Sequence, residues 1–126
     1  MRVDERDTVS GVVIESAVRV HQAIGPGLLE SVYQACLIHE LRKRQVGFAV
    51  GLRVPLSYDG VDLDQYFRLD LLVADRLIVE LKSVQELHPI HTAQVLTYLR
   101  PTGHRNALLI NFNVPRLVDG IRRVSL

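Results

Sequence analysis

The stretch QYFRLDLLVADRLIVELK, Gln65 to Lys82, decides how the chain is read. Leucine, isoleucine and valine runs flank Ala74-Asp75-Arg76, the pattern of two antiparallel strands joined by a tight turn. With the loop centred on Asp75, Asp70 stands opposite Glu80. Alternation then predicts one face carrying Arg68, Asp70, Leu72, Ile78, Glu80 and Lys82, and an apolar face of Leu69, Leu71, Val79 and Leu81. Two carboxylates facing each other across strands, with β-carbons roughly 4.5 to 5.5 Å apart, destabilise a sheet unless a proton or a cation joins them. Oxygen-only ligands suit a hard ion, Mg²⁺ or Mn²⁺, which keeps several waters and accepts phosphate oxygens. Lys82, two residues beyond Glu80, is placed to orient or deprotonate an attacking water and to offset charge in a phosphoryl transition state.

Outward from this hairpin the pattern is helical on both sides. Downstream, His88 to Leu99 repeats apolar residues at helical spacing, and Pro101 with Gly103 closes the element. Gln94 and Tyr98 are four apart, on one helical face that can point into the same cleft. Ala107 to Phe112 reads as a buried strand and Ile121 to Val124 as a short last one. Upstream, Phe48 to Tyr58 reads as a strand turning at Asp59-Gly60 into the next. Before it, Thr8 to Ile24 and Leu28 to Gln45 form two amphipathic helices separated by Gly25-Pro26-Gly27. Glu30 and Tyr33 lie one turn apart on the second helix. A glutamate there could supply a third carboxylate through a water or to a second ion.

Composition narrows the class. The chain has 126 residues, enough for one core and one domain over 1–126. No apolar run reaches the roughly 18 residues of a membrane span, and the charged start MRVDERDTV is unlike a signal peptide, so the expected location is cytoplasmic. A single cysteine, Cys36, excludes a disulfide framework, a structural zinc and a four-cysteine iron–sulfur cluster within one chain. A net charge of +1 leaves the distribution to decide the partner. Basic residues cluster at Arg42-Lys43-Arg44, at Arg100 with His104 and Arg105, and at Arg116 with Arg122 and Arg123. His88 and His91 lack a third ligand at metal spacing and read as helix-start or substrate-contact residues.

Gly27, Glu30 and Tyr33 reproduce the signature of the GxxExxY proteins, a group assigned to the PD-(D/E)XK nuclease superfamily, and the resemblance runs from about Val12 to Val124. Ala93 to Leu99 and Leu108 to Phe112 are also similar to that family. The resemblance implies an α/β, restriction-endonuclease-like core with a central mixed sheet flanked by helices. It implies a metal held by Asp70 and Glu80, with Glu30 as the acidic residue of the first core helix and Lys82 serving the water. Gln94 and Tyr98 resemble the Gln-xxx-Tyr motif of RecB-like nucleases, so the catalytic set is Asp70, Glu80, Lys82, Glu30, Gln94 and Tyr98. Leu69 stands where the superfamily often has proline.

The implied activity is hydrolysis of nucleic-acid phosphodiesters by a metal-activated water, with Mg²⁺ or Mn²⁺ as cofactor and DNA favoured over RNA. Candidate nucleic-acid contacts are Tyr33, Arg42, Lys43, Arg44, His91 and Arg100, although Tyr33 and Tyr98 also fit core tyrosines with a bonded hydroxyl. No membrane partner is expected, and pairing into a homodimer is compatible with cutting a duplex. The alternatives are a catalytically inactive binding or structural protein that keeps the fold, and an enzyme acting on a smaller phosphate ester.

Overall fold

A computed structural model describes residues 5–126, with side chains described from Thr8 onward. The elements are α1 (Glu5–Ile24), α2 (Glu30–Lys43), β1 (Phe48–Val50), β2 (Arg53–Tyr58), β3 (Val61–Arg68), β4 (Leu71–Val73), β5 (Leu77–Lys82), α3 (Pro89–Thr102), β6 (Asn106–Asn111), a 3-10 turn (Leu117–Gly120) and β7 (Ile121–Ser125). Five strands form one mixed sheet in the order β1-β4-β5-β6-β7, while β2 and β3 pair with each other. Among the described strands only β5 and β6 run parallel, because α3 carries the chain back between them. Among the described residues no helix is long and apolar enough to cross a membrane.

Each sheet face has its own cover. Leu71, Val73, Leu77, Val79, Leu81, Leu108, Ile110 and Phe112 meet Val13, Ala17, Val20, Tyr33, Leu37 and Leu41 of the α1–α2 pair. Leu72, Ile78, Ala107 and Leu109 on the opposite face pack against Val95 and Leu99 of α3. The period-two pattern of the strands and the three- and four-residue spacing of the helices thus meet in two apolar layers.

Tyr33 joins the first layer to a loop. Its ring stacks on Phe112 at 4.3 Å, and its hydroxyl donates to the Gly25 carbonyl at 2.6 Å while accepting from the Leu28 N–H at 3.2 Å. Gly25 takes the left-handed conformation after α1 and returns its N–H to the His21 carbonyl at 2.8 Å. Tyr33→Phe would strand two backbone groups, at about 1 to 3 kcal/mol.

Two expected strands are shorter than the sequence suggests. Phe48–Tyr58 breaks at Gly51-Leu52 and the next strand breaks at Leu69-Asp70, at the same level. The Gly51 N–H still reaches the Asp70 carbonyl at 3.2 Å, and the Leu69 N–H reaches Leu52 at 2.9 Å. One continuous antiparallel ribbon therefore leaves the main sheet at this kink and projects as the β2–β3 arm.

Gly51 makes the bend, with φ at +64° and the Arg68 guanidinium lying where a β-carbon would stand. The kink also shifts the alternation by one residue. Phe67, Leu69 and Leu72 all pack on the α3 side, whereas Leu71 and Val73 face the helix pair. Arg68 consequently points away from α3 and does not share a face with Asp70, contrary to strict alternation. Smaller differences fall at helix ends: α2 begins at Glu30 rather than Leu28, and α3 continues through Pro101 to end at Gly103, whose φ is +75°.

Candidate active site

The β4–β5 hairpin pairs Leu71 with Val79, Leu72 with Ile78 and Val73 with Leu77. One step further Asp70 meets Glu80, as the sequence predicts. There side chains replace the backbone rungs. The Asp70 N–H donates to Glu80 Oε1 at 2.9 Å, and the Leu81 N–H donates to Asp70 Oδ2 at 2.8 Å. Each carboxylate is thus anchored to the backbone of the other strand, which holds both rigidly at the end of the sheet nearest Lys82.

Glu80 is only 5% exposed. Burial first, and then the Asp70 charge beside it, push its carboxyl up to about 8, against the opposing pull of the Asp70 N–H and of Lys82. The two carboxyl groups are close enough to share a proton. Tyr98, on α3, has its phenol raised by burial and then by the charges of Glu80 and Asp70, so its hydroxyl stands within their field. Its ring tilts against Phe67 of β3 at 5.0 Å, tying α3 to the root of the arm.

The rest of the expected set is placed as follows. Lys82 is half-buried at the end of β5 and shares its face with Glu80. Gln94 is exposed one turn before Tyr98. Glu30 is exposed as the first residue of α2, and the loop leading to it is tied to the site's strand by Ser83 Oγ, which donates to the Leu28 carbonyl at 2.5 Å. Glu30 is not gathered with the other two carboxylates: among the described residues no three His, Cys, Asp or Glu side chains stand together as one metal-binding group.

Several expected nucleic-acid contacts have partners within the chain or lie away from the Asp70–Glu80 pair. Tyr33 is fully buried, with its hydroxyl committed to the loop, so it offers no surface to a ligand. Arg42, Lys43 and Arg44 close α2 at the end opposite Glu30, about 20 Å away along a 14-residue helix. They are also engaged: Arg42 lies over the Phe48 ring at 5.5 Å, and Lys43 and Arg44 bind Glu40. Arg100 occupies the last turn of α3, at the end that leads into β6 and away from Lys82. His91 Nδ1 accepts the His88 N–H at 3.0 Å, the helix-start role.

Asn111 escaped the sequence reading. It faces Lys82 in the β5–β6 register and is 1% exposed. Its Oδ1 accepts from the Val84 N–H and its Nδ2 donates to the Val84 carbonyl, both at 3.0 Å, while the Phe112 N–H holds the Lys82 carbonyl at 3.0 Å. The strand end carrying Lys82 is thereby clamped. The available signal was an amide inside the apolar run ALLIN, since a buried amide must find partners.

A model of the PD-(D/E)XK nuclease superfamily matches residues 7–124. No curated protein and no solved structure matches the chain. The matched span takes in the mixed sheet, the three helices and the Asp70–Glu80–Lys82 hairpin, and the chain belongs to the PD-(D/E)XK nuclease superfamily.

Proposed function

We propose that the chain is a nuclease that hydrolyses nucleic-acid phosphodiester bonds with Mg²⁺ or Mn²⁺, and that Gly27, Glu30 and Tyr33 place it in the GxxExxY group. The observation that carries the reading is the Asp70–Glu80 pair: two interlocked carboxylates, one of them buried and pushed up to about 8 by that burial and by the charge of the other. The donor set fits the ion, being all oxygen and rigidly anchored, with charges that only a proton or a cation can reconcile.

Asp70 and Glu80 would hold the ion, which when bound would polarise a phosphate oxygen and acidify a water. Lys82 reaches the same face and offsets charge that builds on the phosphate as it is attacked. Tyr98, whose hydroxyl stands in the field of the pair, would support the metal-bound water, and Gln94 would steer the substrate backbone from the turn before it. Glu30 acts from the rim, through a water or a second ion.

The test is incubation of the chain with circular and linear, single- and double-stranded DNA and RNA in Mg²⁺, Mn²⁺ or chelator. Cleavage in either metal, abolished by chelator and by Glu80→Gln, is the expected outcome. Cleavage that survives Glu80→Gln, or no cleavage of any nucleic acid by the wild type, would overturn the assignment.

A further inference from the structure

The β2–β3 arm carries a charged feature on the face turned away from α3. Val54 is buried and Phe67 half-buried, both against α3, so their sequence neighbours Arg53 and Arg68 lie on the arm's other face. There Arg53 and Arg68 are direct cross-strand partners, and Pro55 pairs with Tyr66 one step out. Like charges directly opposite each other on a sheet are destabilising. No carboxylate among the described residues forms an ion pair with either arginine.

The two guanidinium groups are held in different ways. Arg53 lies over the Tyr66 ring at 4.6 Å, and that ring is still 50% exposed. Arg68 folds back across Gly51, whose N–H is bonded to the Asp70 carbonyl, so its charge sits over the rung that also carries Asp70. Two arginines without an ion pair and an open aromatic face are thus gathered at the root of the arm, on the face turned away from α3. The arm's outer end is acidic, with Asp59, Asp62 and Asp64 all exposed, which keeps a polyanion at the root.

From this geometry we propose that the root of the arm binds a single-stranded segment of nucleic acid, its phosphates on Arg53 and Arg68 and a base on the Tyr66 ring. The proposal deepens the nuclease reading and rests on it for the neighbouring site. Cationic groups alone would suit a duplex backbone equally well. An exposed ring stacked with an arginine adds a platform that a base can use only when it is unpaired.

The experiment is equilibrium binding of fluorescent single-stranded DNA, single-stranded RNA and duplex DNA to the full chain in chelator, where nothing is cut, across a salt series. Wild type is expected to prefer the single strands. Tyr66→Ala should weaken single-strand binding by roughly five- to a hundredfold and leave duplex binding unchanged, while Tyr66→Phe should restore it. Arg53→Ala and Arg68→Ala should each lower the log–log salt slope by about 0.7, and lysine at either position should keep the slope. Melting curves matching wild type show that each variant is folded; the exposed positions make that the expected result.

Single-strand affinity unchanged in folded Tyr66→Ala and Arg53→Ala/Arg68→Ala variants would overturn the proposal, as would a wild type that binds only duplex or binds nothing. Parallel incubation in Mn²⁺ separates the two readings. Cleavage by wild type with unaltered binding by the arm variants removes the arm proposal alone. Arm-dependent binding without any cleavage supports the arm and removes the nuclease.

Discussion

Glu40 and Glu80 are both glutamates shut away from solvent, at 9% and 5% exposure, and their carboxyl groups are driven in opposite directions. Glu40 accepts from Arg44 Nη1 at 2.5 Å and has Lys43 at 3.7 Å and Arg19 at 3.9 Å. The Arg44 hydrogen bond, outweighing burial, holds its carboxyl below the usual range. Glu80 has a second carboxylate beside it and only Lys82 to oppose the two. Burial therefore does not mark a site by itself. A deficit of countercharge does, because it must be made up from outside the chain.

The largest test of that contrast is turnover. Glu80→Gln and Asp70→Asn should each cut Mn²⁺-dependent cleavage by about a thousandfold or more, since several kcal/mol of transition-state stabilisation leave with the ion. Glu40→Gln should cleave at the wild-type rate. Initial rates on one labelled substrate decide it, and equal losses at Glu40 and Glu80 would erase the distinction.

Ion binding gives the next largest effect and needs no substrate. Mn²⁺ at tenfold its Kd should stabilise wild type by about 1.4 kcal/mol, a rise in Tm on the order of 4 to 8 °C. Glu80→Gln should lose most of that rise, and above pH 8 in chelator it should melt at or above wild type, because there the mutation removes the repulsion. Lys82→Ala should keep the rise and lose turnover. A full Mn²⁺ response in both Glu80→Gln and Asp70→Asn would end the metal-site reading.

The hairpin that carries these residues was legible because its register rests on local rules: a turn at Asp75, alternation on both sides, and one buried face. The order of helices and strands was legible for the same reason. The kink at Gly51 and Leu69-Asp70 was not, since a one-residue shift in alternation leaves the apolar composition of the ribbon unchanged and appears only where Leu69 and Leu71 turn to different helices. Arg68 was misplaced as a direct result. The partners of the basic cluster at Arg42 to Arg44 were not legible either: spacing identifies a cationic helix end, but Phe48 and Glu40, which lie against it, come from packing. Tyr33 fell between the two, since the sequence admits a core tyrosine and only the Gly25 and Leu28 contacts make it one.

Proton linkage sharpens the comparison further. Glu80 titrates near 8 in the folded chain, above its ordinary value of 4.5, so the native state binds the extra proton. Its contribution is fully present below about 4.5 and is lost as pH rises through 8, with a slope of up to about 1.4 kcal/mol per pH unit in the absence of metal. Denaturant midpoints from pH 5 to 9 in chelator should therefore fall more steeply for wild type than for Glu80→Gln. Parallel slopes would mean that Glu80 is already ionised, and the charge deficit would have to lie elsewhere.

The smallest effect belongs to Glu40, and its sign is the reverse. A carboxyl held below 4.5 by Arg44 gives stability that is present above that value and is lost as pH falls through the folded pKa. At neutral pH Glu40→Gln keeps the volume and part of the hydrogen bonding but gives up the charge facing Arg44, Lys43 and Arg19. The three cations then face one another with Glu15, 3.9 Å from Arg44, as the remaining anion of the group. The mutant should melt slightly below wild type at pH 7 in low salt. The gap should narrow in high salt, because Arg19 and Lys43 are largely exposed and screened. It should also narrow as pH falls below 4.5 and wild type protonates. Mn²⁺ should raise both proteins by the same amount, because this network joins α1 to α2 and shares no residue with the Asp70–Glu80 pair. A Mn²⁺ response altered by Glu40→Gln would show that the two glutamates are coupled through the fold, and the contrast between a satisfied and an unsatisfied carboxylate would no longer separate structure from function in this chain.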